Sequence, residues 1–163
     1  MKPINKLKLE FPAQSVNESF ARATVAAFAA AVNPTIDEVN DIKTAVSEAV
    51  TNSVVHGYDL AAGQTAGEGQ TISIECQLFS DYIDITVSDN GRGIKDIKTA
   101  MQPFATTKPS QDRSGMGFTV MQSFMDNIDV ANSDHGGAVI TMRKFFQGTR
   151  TAGLRNTSMQ SAR

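Results

Sequence analysis

Two runs of strict alternation constrain this chain most. Across residues 71–78 every second side chain is apolar (Ile72, Ile74, Cys76, Leu78), and across 82–88 the pattern repeats with Ile83, Ile85 and Val87. A period of two sends successive side chains to opposite faces, so each run reads as a half-buried strand. Ser80-Asp81 between them has the length of a tight connection, which makes the pair an antiparallel hairpin. The apolar face of that hairpin has to be covered. Its second strand runs straight into Asp89-Asn90-Gly91-Arg92-Gly93-Ile94.

Helices earlier in the chain supply the cover. Ser15-Val16-Asn17-Glu18 has the spacing of a capping box and predicts a helix from there to about Val32, with Phe20, Val25 and Phe28 buried. Asn33-Pro34 breaks it. Thr35-Ile36-Asp37-Glu38 is a second capping box, and a second helix follows with Val39, Ile42, Val46, Ala49, Val50 and Ser53 on its core face. Gly57 is expected to stop that helix in a left-handed conformation. Residues 4–11 alternate and predict a strand ended by Pro12. Residues 58–70 read as a loop, 96–101 as a short helix, and Phe118, Val120, Met121, Phe124 and Met125 as a further helix. Strands are expected over 128–131 and 138–145, around a Gly136-Gly137 turn. Hairpin-linked strands with helices grouped in runs predict an α+β fold: a two-layer α/β sandwich with a mixed, mostly antiparallel sheet and helices on one face.

The 163 residues suffice for one domain, expected over 1–146, and periodicity disappears over 147–163, which reads as a disordered tail. The net charge of −2, without a basic stripe, argues against a nucleic-acid or membrane surface. The one cysteine, Cys76, excludes an internal disulfide and a multi-cysteine metal site, and its alternating apolar surroundings predict a buried, inert thiol. The start lacks the apolar core of a signal peptide and no run has the length of a membrane span, so a cytoplasmic protein is expected.

The second helix also carries Glu48, Asn52 and His56 at i, i+4 and i+8, one stripe with a carboxylate, a carboxamide and an imidazole. Such a stripe is either a solvated face or a working one, and the stretch alone does not separate the two. Asp89 stands where the hairpin leaves the sheet, and Gly91 and Gly93 let a flat ligand approach the backbone. A carboxylate there suits an exocyclic amine, although Asp-Asn-Gly is also a common turn. Gly115-Met116-Gly117 opens a helix, where free amides and the dipole favour an anion. It fits neither the P-loop pattern nor the dinucleotide fingerprint. Lys108 and Arg113 precede it on a polar segment suited to closing over a polyphosphate, or simply to solvation.

In order and spacing these pieces resemble the nucleotide-binding fold shared by DNA gyrase, Hsp90, histidine kinases and MutL, whose N box, first glycine box and second glycine box match Glu48 with Asn52, Asp89 with Gly91 and Gly93, and Gly115 with Gly117. More narrowly, Asn17-Glu18-Ser19-Phe20-Ala21-Arg22, Ser47-Glu48-Ala49-Val50-Thr51-Asn52 with His56-Gly57-Tyr58, and Thr106-Thr107-Lys108-Pro109 with Arg113-Ser114-Gly115-Met116-Gly117-Phe118 are similar to the anti-sigma F factor family of endospore-forming bacteria. The likeness covers roughly residues 4–146. It implies an ATP-dependent protein-serine kinase that also inhibits a sigma factor. It assigns Glu48 as general base, Asn52 as Mg2+ ligand, and Asp89 with Gly91 and Gly93 to adenine. Thr107, Lys108 and Arg113 fall to the lid, and Gly115, Met116 and Gly117 to the phosphates. His56 is expected to close the helix end.

The same likeness implies a sigma factor of the F type and an anti-anti-sigma protein, phosphorylated on serine, as partners. It places Glu18 and Arg22 on the partner surface and expects a homodimer. Glu18 with Arg22 is equally an intrahelical i, i+4 pair. One departure stands out: Ala138 follows Gly137 where related proteins often carry threonine, so a hydrogen bond near adenine is expected to be missing or carried by water. The alternatives are an anti-sigma B type stress-response kinase and a non-catalytic nucleotide-gated binding module. A histidine-kinase catalytic domain is disfavoured for want of room before Ser15 for a phosphoacceptor domain, and a gyrase- or MutL-type ATPase for want of a following transducer domain.

Overall fold

The computed structural model describes residues 1–103 and 117–148. Its elements follow in the order β1 (Asn5–Pro12), α1 (Asn17–Ala29), α2 (Ile36–Asn52), β2 (Thr71–Leu78), β3 (Tyr82–Asp89), α3 (Ile97–Ala100), α4 (Gly117–Phe124), β4 (Asn127–Asn132) and β5 (Ala138–Phe145). The strands form one sheet in the order β1-β2-β3-β5-β4, with each neighbouring pair antiparallel. The sequence left room for a parallel pair; none occurs among the described strands.

The register aligns the alternating residues into rows. Leu9, Ile74, Val87, Ile140 and Val130 stand opposite one another across all five strands, as do Leu7, Cys76, Ile85, Met142 and Ile128. A one-residue slip would turn each row to the other face, so burial fixes the pairing. Against these rows pack Ile42, Val46, Ala49 and Val50 of α2, Ala21, Val25 and Ala29 of α1, and Met121 of α4. The result is the expected α+β two-layer sandwich with the helices on one face. Asp89 falls in the same register as these rows, beside Ile72 and Phe11.

Local expectations divide on backbone geometry. Thr35 is extended (φ −68°, ψ 161°), and its box forms: Glu38 N donates to Thr35 Oγ1 at 3.2 Å and Thr35 N to Glu38 Oε2 at 2.7 Å. The Ser15 box does not form. Residue 16 caps α1 in an already helical conformation (φ −62°, ψ −27°), without a side-chain bond, and Glu18 instead accepts from Arg22 at 2.8 Å. A side-chain cap needs an extended cap residue, which Val16 is not. Phe20 is 54% exposed rather than buried, because α1 turns its alanines toward α2. Gly57 does not end α2 in a left-handed turn. The helix widens into a π turn over Ser53–Gly57, with Tyr58 N bonding back to Ser53 O at 3.0 Å, and Asp59 takes the positive φ (59°). No helix among the described residues is long and apolar enough to cross a membrane.

Two outcomes follow. Thr35→Ala should cost about 1 kcal/mol of stability, read by urea or thermal unfolding, while Ser15→Ala should stay within about 0.5 kcal/mol. Cys76 is 1% exposed and burial pushes its thiol up to about 12. A thiol-reactive dye should therefore leave the native protein unlabelled at pH 8 and label it once denatured, since only the thiolate attacks.

Candidate functional site

β3 delivers Asp89 to the end of the sheet with 4% of its surface exposed. A carboxylate at that depth has to be hydrogen-bonded. Three elements donate to it: Ser53 Oγ from the end of α2 (2.7 Å, to Oδ2), Gly91 N from the loop after β3 (2.9 Å, to Oδ1) and Ala138 N from the start of β5 (3.2 Å, to Oδ1). A carboxylate offers about four acceptor positions, so one further donor can be taken.

The glycines make this meeting possible. A Cβ on Gly57 would stand 3.1 Å from the Asp89 carboxylate, and one on Gly91 would collide with the Gly57 backbone. With both side chains absent, Arg92 N reaches Gly57 O (3.0 Å) and Arg92 Nε reaches His56 O (2.7 Å), which docks the loop on the helix end. His56 thus works through its carbonyl in closing α2. Gly93 lies at φ +73° against the Gly136 carbonyl, where a side chain has neither the backbone nor the space. Asn132 holds the next residue on both sides, accepting from Ile94 N and donating to Ile94 O, each at 2.8 Å. Tyr58 donates to Thr71 O (2.6 Å) and accepts from Asn90 N (2.7 Å). Burial raises the Tyr58 phenol above its ordinary range, which keeps the donating proton in place.

On α2 just before Ser53, Glu48 and Asn52 are half-buried beside Gly117, the first described residue of α4. A Cβ on Gly117 would lie 3.1 Å from Asn52 Oδ1 and 3.3 Å from Glu48 Oε2. Gly117 opens the described part of α4, so this corner sets a backbone without a side chain beside a carboxamide oxygen and a carboxylate. Asn52 and Ser53 are adjacent, so one helix end serves both corners. A ligand with an exocyclic amine at one end and phosphate at the other matches the pair.

The structure therefore brings together Glu48, Asn52, Asp89, Gly91, Gly93 and Gly117. Thr107, Lys108, Arg113, Gly115 and Met116 lie outside the described residues. Glu18 and Arg22 sit on α1 as their own ion pair and take no part in these contacts. Ala138 has no hydroxyl to offer, but its amide is engaged with Asp89. Ser53, Tyr58, Gly57 and Asn132 belong to the site although the sequence reading gave Ser53 to the core and Gly57 to a helix stop, and assigned no site role to the other two. A hydroxyl on an otherwise apolar helix face was the one available signal for Ser53.

Residues 11–144 match the family model of the histidine kinase-like ATPase domain. The chain is 50% identical over 140 residues to the anti-sigma F factor of Clostridium perfringens (strain SM101 / Type A), covering 86% of this chain and 96% of the relative. It is 49% identical over 140 residues to the anti-sigma F factor of Clostridium novyi (strain NT), covering 86% and 94%. Among solved structures, that of the RsbU and RsbW domains of Rv1364c from Mycobacterium tuberculosis superposes with a TM-score of 0.57 at 17% identity. It covers 88% of this chain and 32% of that one, a likeness of fold. The chain belongs to the anti-sigma F factor family and is built on a histidine kinase-like ATPase domain.

Proposed function

We propose that this chain is an ATP-dependent protein-serine kinase that binds and inhibits a sigma factor of the F type and phosphorylates its anti-anti-sigma antagonist. One observation carries the catalytic half: Glu48, Asn52 and Gly117 meet at one corner, and Ser53, the residue after Asn52, bonds the buried carboxylate of Asp89. Family membership supports the regulatory half.

The donor set fits Mg-ATP. Gly117 leaves a cradle that a side chain would fill, and the oxygen of Asn52 beside it is a hard donor suited to magnesium. Magnesium prefers few protein ligands, so Asn52 would hold the ion together with phosphate oxygens and water. When bound, magnesium would supply neutralisation of the phosphate charge. Asp89 accepts the adenine amine with its remaining acceptor position. Gly115, Met116 and Gly117 are assigned to the phosphates, and Thr107, Lys108 and Arg113 to the lid. Glu48 takes the proton of the attacking serine hydroxyl as that oxygen bonds the γ-phosphorus and the bond to the β-γ bridging oxygen breaks. The bridging electrons leave with ADP.

Glu18 and Arg22, partly exposed as an ion pair on one face of α1, are the partner-facing residues of this reading. A homodimer and a cytoplasmic location complete the reading, with 1–146 as the working unit.

Glu48→Gln should retain ATP binding and lose about 100-fold or more in phosphoryl transfer to the serine substrate, measured with labelled ATP. Full transfer by that variant would remove Glu48 from the role of base. Asn52→Ala should bind ATP no better with Mg2+ than without it, measured by calorimetry, and an undiminished magnesium effect would remove the metal assignment. A wild-type protein whose partner affinity responds to ATP while no phosphoserine appears would be a binding module and no kinase.

A further inference from the structure

β5 turns every second residue toward the helices. Ala138, Ile140 and Met142 are buried, and the next position in that row is Lys144. A lysine in a core register is costly unless its ammonium is paired. The Lys144 side chain is 14% exposed, and two acceptors receive it: Asp41 Oδ2 on α2 at 2.7 Å and the Phe124 carbonyl oxygen, at the last residue of α4, at 2.8 Å. A helix end leaves that carbonyl without a helical donor, and a cation there also meets the negative end of the dipole. The residues just after α4 are tied to the same strand. Asp126 N donates to Arg143 O (2.9 Å), and Asp126 Oδ2 accepts from Phe145 N (2.7 Å).

Asp41, Glu48 and Asn52 stand at i, i+7 and i+11, one stripe of α2. α4 runs antiparallel along this stripe, with Gly117 beside Glu48 and Asn52 and Phe124 linked back to Asp41. The eight described residues of α4 span about 12 Å, which is comparable with the rise of α2 between these positions. Fixing one end of so short a rod fixes the other. A slip of one residue is about 1.5 Å, enough to carry the Gly117 backbone out of hydrogen-bond reach of an anion beside Asn52.

We infer that Lys144 is a positioning residue for the phosphate end of the site. By joining the C-terminus of α4 to Asp41 it sets the axial register of α4 on α2, and with it the placement of the amides at Gly117. This rests on the reading of that corner as the phosphate subsite. Lys144 acts on nucleotides through their phosphates alone, because the donors around Asp89 come from Ser53, Gly91 and Ala138, none of them in α4.

Equilibrium binding of Mg-ATP and of adenosine to the full chain tests this. Lys144→Met keeps the apolar stem and removes the ammonium; its ATP affinity should fall about tenfold while adenosine affinity stays within about twofold. Lys144→Arg should restore the ATP preference. Asp41→Asn should shift the same ratio in the same direction, and carries the test where Lys144→Met does not fold. An unchanged ratio of the two affinities in both variants, or an equal loss for both ligands, would overturn the inference. A wild-type protein that binds adenosine as tightly as ATP would overturn the phosphate reading itself, and the role of Lys144 with it. Wild-type preference for ATP that persists in the variants would sink the role of Lys144 alone.

Discussion

The buried carboxylate of Asp89 is the constraint on which the rest of the site depends. A negative charge at a core register is tolerated only where donors surround it. Here the donors arrive from three separate elements, the end of α2, the loop after β3 and the start of β5. Satisfying one side chain therefore locks those elements together. The absent side chains of Gly57 and Gly91 follow from the same demand, since either Cβ would intrude on the junction. The π turn belongs here as well. By carrying the chain from i−4 to i−5 bonding it leaves Ser53 on the carboxylate and brings the His56 and Gly57 carbonyls to Arg92.

α2 then acts as the axis of the site. Its apolar face is held by the sheet through Ile42, Val46, Ala49 and Val50, which fixes its rotation. The same rotation presents Asp41, Glu48 and Asn52 to α4. The corner at Asp89 and the corner at Gly117 consequently share one support, the end of α2. Of the residues that the anti-sigma F factor likeness singles out, Glu48 and Asn52 lie on α2, and its packing on the sheet sets where they stand.

Much of this was legible in the chain as written. Alternation located β2, β3 and β5 because burial of one face imposes a period of two on the residues themselves. The Thr35 box was legible because both partners lie within one turn. The Ser15 box had the same letters and failed, because the capping geometry is set by how the chain leaves β1, which no four-residue window contains. Phe20 was misplaced for a similar reason: helical spacing defines an apolar face, but the neighbour α2 decides which face is covered.

What the sequence determined alone was therefore local: strand alternation, one helix cap, and the identity of Glu48, Asn52, Asp89 and the glycines as a recognisable set. Tertiary structure decided which side chains those residues touch. Ser53 became a partner of a carboxylate 36 positions away, Gly57 became a space instead of a helix stop, and Lys144 became a tie between two helices. Each of those outcomes depends on contacts between residues distant in the chain, and periodicity carries no record of them. Burial makes a lone polar group costly, so the fold had to supply each of these polar groups with a partner from elsewhere.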